Sequence, residues 1–115
     1  MAARKLTAAA VKRAFLAVPG MAEGKAWHHD VFRHNGKIIG RVLEDGQSVM
    51  IKLSFETREH LVRADPKTFY ITDHYKNFPA VLARLERLST ADLKALLARA
   101  IEQASTKRKR TSPRP

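Results

Sequence analysis

Two dipeptides, Asn35-Gly36 and Asp45-Gly46, constrain the fold of this chain more than any other feature of its sequence. Both are favoured in two-residue type I′ hairpin turns, because the two central positions of such a turn need positive φ. Apolar and polar residues alternate around them. The sequence therefore predicts three antiparallel strands in series, over residues 29–34, 37–44 and 47–53.

Helix signals surround these strands. One helix is predicted after an N-cap at Thr7, a second after an N-cap at Ser54, and a third after a capping box that opens at Ser89. Two short strands, residues 69–72 and 80–85, precede the third helix. The predicted fold class is α+β, a two-layer α/β structure with the order α-β-β-β-α-β-β-α, in which all helices cover one face of an antiparallel sheet. The first 22 residues also have the acid-free, Ala-rich composition of a transit peptide, which is the alternative to a domain helix there.

Length and composition narrow the class of protein. A chain of 115 residues with 44% hydrophobic residues forms one small domain, which we place at residues 1–105, followed by a disordered basic tail at 106–115. No apolar run is long enough for a transmembrane helix. The absence of cysteine excludes disulfides and thiolate metal sites and fits a reducing compartment, so we expect a cytoplasmic protein without a membrane partner.

Positive charge is concentrated at the two ends. The chain has 22 Lys and Arg against 11 Asp and Glu, and seven of these bases lie outside residues 6–105. The tail contributes Lys107, Arg108, Lys109 and Arg110. Such a run attracts any polyanion with a salt-dependent affinity, because each neutralised phosphate releases counterions. The alternative is a solubilising end without a partner.

The predicted turns also assign a face to each strand residue. Arg41 is expected opposite Met50, and Phe32 opposite Ile39. An almost wholly apolar face, predicted to lie under the helices, consists of Val31, Arg33, Ile38, Gly40, Val42, Val49, Ile51 and Leu53. The other face, called the mixed face, combines bases and apolar residues: Phe32, His34, Lys37, Ile39, Arg41, Leu43, Ser48, Met50 and Lys52.

The mixed face allows three interpretations. In the first, Lys37, Arg41 and Lys52 contact nucleic-acid phosphates while Phe32 or Tyr75 stacks on a base. In the second, the face pairs with another copy of the chain or accepts an acidic-hydrophobic peptide. In the third it is an ordinary sheet surface, partly covered by the last helix or the tail.

Two short clusters resemble reactive sites, but neither predicts one. His28-His29-Asp30 places neighbouring side chains on opposite faces of an extended chain, so we expect no metal site. Asp73-His74-Tyr75 lies in a predicted loop without a nucleophile, and we expect Tyr75 to pack at the edge of the core. The sequence predicts neither a cofactor nor an enzyme. Trp27 is expected to close one end of the core.

Several segments together resemble the MmcQ/YjbR family of small bacterial proteins. The resemblance covers residues 7–104 and rests on residues 18–24 (VPGMAEG), 31–37 (VFRHNGK), 72–79 (TDHYKNFP) and 82–85 (LARL). It implies a two-layer α/β fold similar to that of secretion chaperones and, since members are described as DNA-binding, nucleic acid as the partner. Many relatives have a tryptophan after the position of Pro79, where this chain has Ala80. A stacking contact at that position is therefore not carried over to this chain. The family resemblance and the basic tail together favour weak, largely sequence-independent nucleic-acid binding; a protein-interaction or chaperone-like module is the alternative.

Overall fold

A six-stranded antiparallel sheet carries three α-helices in the structure, a computed structural model that describes residues 6–26 and 29–111, with side chains up to residue 104. The elements are α1 (Ala8–Leu16), β1 (Met21–Ala26), β2 (His29–His34), β3 (Lys37–Val42), β4 (Ser48–Lys52), α2 (Phe55–Ala64), β5 (Phe69–Tyr70), β6 (Ala80–Arg84) and α3 (Thr90–Thr111). Short 3₁₀ turns occupy Asp73–Tyr75 and Leu85–Arg87. The strand order is β1-β2-β3-β4-β6-β5. The predicted α+β class is confirmed.

The predicted element order lacks one strand. β1 pairs with β2 over six residues, from Met21 opposite His34 to Ala26 opposite His29. Its sequence, MAEGKA, is rich in residues that are uncommon in strands, so propensity gave no signal. Backbone pairing at the edge of the sheet determines its conformation instead. Trp27, for which a packing role is predicted, and His28 lie outside the described residues.

The three predicted helix caps are confirmed. The hydroxyl of Thr7 accepts a hydrogen bond from the N–H of Ala10 (3.1 Å), and that of Ser54 accepts one from Thr57 (3.1 Å). At α3 the N–H of Asp92 donates to the Ser89 hydroxyl (3.0 Å). Side-chain oxygens at these positions satisfy amides that have no partner within the helix. α1 packs into the core, as expected of a domain helix. In the described part of the chain, no helix combines the length and apolar character needed to cross a bilayer.

The two predicted type I′ turns have different outcomes. In the first, Asn35 and Gly36 have φ of 54° and 80°, which confirms the prediction. In the second, only Gly46 has a positive φ (69°), so the predicted type I′ geometry is wrong. The carboxylate of Asp45 accepts a hydrogen bond from the N–H of Gln47 (2.9 Å), an Asx turn that holds the loop differently.

The observed register of β2 and β3 differs from the predicted one by one residue, because β3 contains a β-bulge. Phe32 lies opposite Gly40 instead of Ile39, so β3 contains one extra residue at this point. Beyond the bulge β3 and β4 pair as predicted, with Arg41 opposite Met50. Because side chains alternate with a period of two, a single extra residue exchanges the faces of everything on one side of it.

The bulge places Phe32 and Ile39 in the core beneath the helices, so their predicted place on the mixed face is wrong. The Phe32 ring stacks on that of Phe15 from α1, with ring centroids 4.2 Å apart. Ile38, predicted to lie under the helices, packs in a second cluster on the opposite face. The residues after the bulge keep their predicted sides.

Gly40 allows this close contact between sheet and helix. A Cβ atom at Gly40 would lie 2.4 Å from the Met50 carbonyl oxygen and 2.8 Å from a carbon of the Phe15 ring. The backbone cannot move away without breaking the β3–β4 pairing, and the ring is held by its stack. Only glycine fits at this position.

We therefore expect Gly40→Ala to reduce the free energy of unfolding by about 3 kcal/mol, because it overpacks the core against backbone. Urea denaturation followed by circular dichroism measures this. Gly24→Ala in β1 is the matched control, since a Cβ there would meet only the far end of the Arg33 side chain, at 2.8 Å from Nη1, and no backbone atom. The control should change stability by less than about 1 kcal/mol. Equal losses in both variants would contradict the proposed packing.

Candidate functional site

Two grooves are lined by the sheet bases that the sequence predicts as phosphate contacts. The first, called the lysine groove, has a volume of about 440 Å³ and opens where β3 begins, β4 ends and the C-terminal half of α3 passes over them. Lys37 and Lys52 both line it, together with Ser54, Thr57 and the acidic Glu56. The ammonium of Lys52 lies 5.8 Å from the centre of the Phe78 ring. Two predicted phosphate contacts are thus in the same groove.

Gln103 of α3 builds the floor of the lysine groove. Its side-chain oxygen accepts a hydrogen bond from the N–H of Ser54 (2.8 Å), and its amide nitrogen donates to the hydroxyl of Thr57 (2.7 Å). One side chain therefore joins α3 to the first turn of α2 and satisfies an otherwise free amide there. The position of α3 above the two lysines is consequently fixed.

α3 continues past the lysine groove to Thr111. Residues 107–110, which the sequence places in a disordered tail, therefore have a helical backbone here, whereas their side chains and residues 112–115 lie outside what the structure describes. At 1.5 Å per residue, residues 107–110 follow Ala104, which lines the groove, by about 5–9 Å along the helix axis.

The second groove, called the arginine groove, lies on the sheet face away from α1 and α3 and has a volume of about 680 Å³. Its polar lining is His29, Arg41, Glu44, Thr72 and His74, and its apolar lining is Leu43, Tyr75, Phe78 and Leu82. Most of the mixed face is therefore not a flat exposed surface. The segment of residues 72–79 crosses it and buries Met50 and Leu82.

Arg41 is buried at the base of the arginine groove, with only 6% of its surface exposed. Its Nη1 donates to the carbonyl of Val42 (3.3 Å), and its Nη2 lies 3.6 Å from Oε2 of Glu44. The same carboxylate oxygen lies 3.4 Å from Nε2 of His29. The pKa of Glu44 is below its ordinary value, first because its own backbone amide donates to the carboxylate and then because of the Arg41 charge.

Arg58 of α2 holds the segment that forms one wall of this groove. Its guanidinium donates to three backbone carbonyls: those of Tyr75 (3.1 Å), Phe78 (3.0 Å) and Lys76 (3.2 Å). The Phe55 ring covers it at 4.7 Å, and its Nε is buried without a hydrogen-bond partner. A buried cation thus organises a segment with little regular secondary structure.

The predicted phosphate contacts separate into two places. Lys37 and Lys52 share the lysine groove, whereas Arg41 keeps its predicted side of the sheet but is buried in the arginine groove. The prediction that Arg41 presents an exposed guanidinium on the same surface is wrong. The wall formed by residues 72–79 and the carboxylate of Glu44 enclose it.

Both residues predicted to stack on a base have buried rings. Phe32 is 2% exposed and stacks within the core. Tyr75 is 8% exposed and packs on the sheet as predicted, with the edge of the exposed His74 ring against it at 4.8 Å between centroids. The described residues contain no group of three or more His, Asp or Glu placed to hold a metal ion, and His28 lies outside them.

Three residues that organise the two grooves are not among those predicted from the sequence: Glu44, Arg58 and Gln103. Arg58 has a detectable signal in the sequence, since it lies three and four residues before Leu61 and Val62, which pack against the core from the same side of the helix. A charged residue at such a position is rarely buried unless its charge is paired or hydrogen-bonded. Glu44 and Gln103 act across distant parts of the chain, so no local pattern reveals them.

Comparison with known proteins gives one family and one fold. The model of the YjbR family matches residues 16–102. The crystal structure of the Deinococcus radiodurans protein DR2400, with the family-model domain DUF419, is similar with a TM-score of 0.67 and 17% sequence identity, covering 84% of this chain and 77% of that one. At this identity the likeness concerns the fold alone. No curated protein matches the sequence.

We expect Arg58→Met to reduce the free energy of unfolding by about 3 kcal/mol, because the backbone carbonyls of Tyr75, Lys76 and Phe78 lose the hydrogen bonds that the buried guanidinium donates. Urea denaturation measures the loss, and amide exchange of residues 73–78 should become faster. Arg63→Met is the matched control, since Arg63 lies exposed on the same helix and should change stability by about 0.5 kcal/mol or less. A loss in R58M no larger than in R63M would contradict the anchoring role.

Proposed function

The chain belongs to the YjbR family, as its resemblance to MmcQ/YjbR proteins predicts, and from the placement of its bases we propose that it binds nucleic acid. The binding is weak, largely independent of base sequence and non-enzymatic, and it takes place in the bacterial cytoplasm. One observation supports it most: Lys37 and Lys52 line a single groove beside the helix that continues into the basic residues 107–110.

Electrostatics supports the same proposal. The chain has a formal net charge of +11, and the basic end of α3 begins about 5 Å beyond the lysine groove, which is within one Debye length at physiological salt. Charges this close act on the same stretch of phosphate backbone. Their attraction depends on phosphate spacing and not on base identity.

The geometry favours a phosphate-tracking mode over base stacking. With Phe32 and Tyr75 buried, the described part of the groove offers no open aromatic platform between its lysines. The contacts of this proposal are therefore Lys37 and Lys52 from the sheet and Lys107, Arg108, Lys109 and Arg110 from α3. Arg41 is no longer among them.

The slope of log affinity against log salt tests this proposal, because each phosphate contact on duplex DNA contributes about 0.9 to it. A labelled duplex is titrated by fluorescence anisotropy at several salt concentrations. Lys37→Ala with Lys52→Ala should reduce the slope by about 2, and alanine at all four residues 107–110 by about 4.

The matched control is Lys67→Ala with Lys94→Ala, which removes the same charge from exposed lysines outside the groove. Its slope should stay close to that of the unmodified protein. If the control loses as much as the groove variant, net charge alone drives binding and the groove has no role. If the full-length protein fails to bind even at low salt, the proposed function is wrong.

A protein-interaction or chaperone-like module is the second candidate, and β1 is the observation that favours it. β1 ends the strand order and, in the described part of the chain, pairs only with β2 over its six residues. An edge of this length can accept another strand, as in a homodimer.

If β1 pairs with a second copy, sedimentation equilibrium should give a mass between one and two chains that rises with concentration. Gly24→Pro removes a backbone donor from the middle of this edge strand and should shift the equilibrium towards the monomer. A monomer at all concentrations would exclude the homodimer form of this candidate.

A further inference from the structure

The arginine groove has the dimensions and lining of a small-molecule site. Its volume of about 680 Å³ lies within the roughly 300–1,000 Å³ typical of ligand pockets, and its lining joins an apolar wall to a few polar groups. It lies on the opposite face from α3, with a set of lining residues that shares no member with the lysine groove. What it binds is therefore independent of the proposed nucleic-acid binding.

Arg41 gives this groove an unusual base. A guanidinium has five N–H donors, and a buried one is normally held by close acceptors. The contacts of Arg41 are 3.3 Å to a neighbouring carbonyl and 3.6 Å to the Glu44 carboxylate, both longer than the 2.7–2.9 Å typical of a charge-assisted bond. Glu44 itself is largely exposed. Much of the capacity of Arg41 to bind an anion is thus not used within the chain.

Glu44 indicates which anion fits. Its Oε2 lies 3.6 Å from Nη2 of Arg41 and 3.4 Å from Nε2 of His29, so nitrogen atoms from two different strands converge on one carboxylate oxygen. Glu44 is attached to an exposed loop and can swing away, since an exposed ion pair contributes little free energy. A carboxylate from another molecule could then take both positions.

The other wall of the groove determines the rest of the ligand. Tyr75 and Phe78 present aromatic surface, with Leu43 and Leu82 beside them. The three carbonyl contacts of Arg58 hold this wall in place, so the wall is formed before any ligand arrives. An aromatic or alkyl group extending from the carboxylate would bury its surface there.

The geometry points to a binding site for a small amphipathic carboxylate, with the carboxylate on Arg41 and His29 in place of Glu44 and the apolar group against Tyr75 and Phe78.

4-Phenylbutyrate is the probe for this site, titrated into the full-length ¹⁵N-labelled protein and followed by amide chemical shifts. We expect saturable shifts concentrated at residues 43–44 and 72–78, with a dissociation constant of the order of 1 mM for a ligand of this size. Benzyl alcohol, which lacks the carboxylate, and acetate, which lacks the apolar group, should each bind at least about tenfold more weakly.

Glu44→Gln is the decisive variant, because it removes the competing carboxylate at an exposed position without risk to folding. It should tighten 4-phenylbutyrate binding by about two- to fivefold. Glu86→Gln, an exposed glutamate outside the groove, is the matched control and should change nothing. Arg41→Gln should abolish the shifts at the groove.

Three results would overturn the site: no saturable shift in these residues, equal binding of acetate or inorganic phosphate, or an affinity that Glu44→Gln leaves unchanged. The salt-dependent DNA titration uses other residues, so failure at this groove leaves the proposed nucleic-acid binding intact. Conversely, Lys37→Ala with Lys52→Ala should leave 4-phenylbutyrate binding unchanged.

Discussion

The close approach of α1 to the sheet at Gly40 is the constraint on which the rest of the structure depends. The absence of a side chain there lets the Phe15 ring contact the sheet and stack on Phe32. Phe32 reaches that position only because the β-bulge in β3 turns it towards the helices. Strand register, core packing and the division of the sheet into two faces are therefore consequences of one local arrangement.

The bulge also explains why the predicted mixed face separates into two grooves. The apolar residues expected to interleave with the bases, Phe32 and Ile39, belong to the core instead. On the far face, the segment held by Arg58 covers the sheet between Lys52 and Arg41. A single amphipathic surface is replaced by a basic groove beside α3 and a buried arginine, Arg41, beside a wall of aromatic residues.

Local rules predicted much of this fold. Helix caps and the first hairpin turn involve residues within a few positions of one another, so the sequence alone specifies them. The bulge, β1 and the contacts of Arg58 and Gln103 depend on partners far along the chain. The predicted site was the least accurate part, because the assignment of residues to the mixed face assumed that side chains alternate without interruption across the bulge. Lys37 and Lys52 nevertheless share a groove, since both lie at the same end of adjacent strands.

The net charge of the chain attracts anions to both grooves, so long-range electrostatics does not distinguish their ligands. Short-range geometry does. In the nucleic-acid binding that we propose for the lysine groove, flexible ammonium groups follow a line of phosphates and several counterions are released together, which would make affinity fall steeply with salt. At the arginine groove one shielded guanidinium meets one charge, while most of the contact is apolar, so salt should matter little there. The two proposed anion sites can thus be separated by salt dependence alone, before any residue is changed.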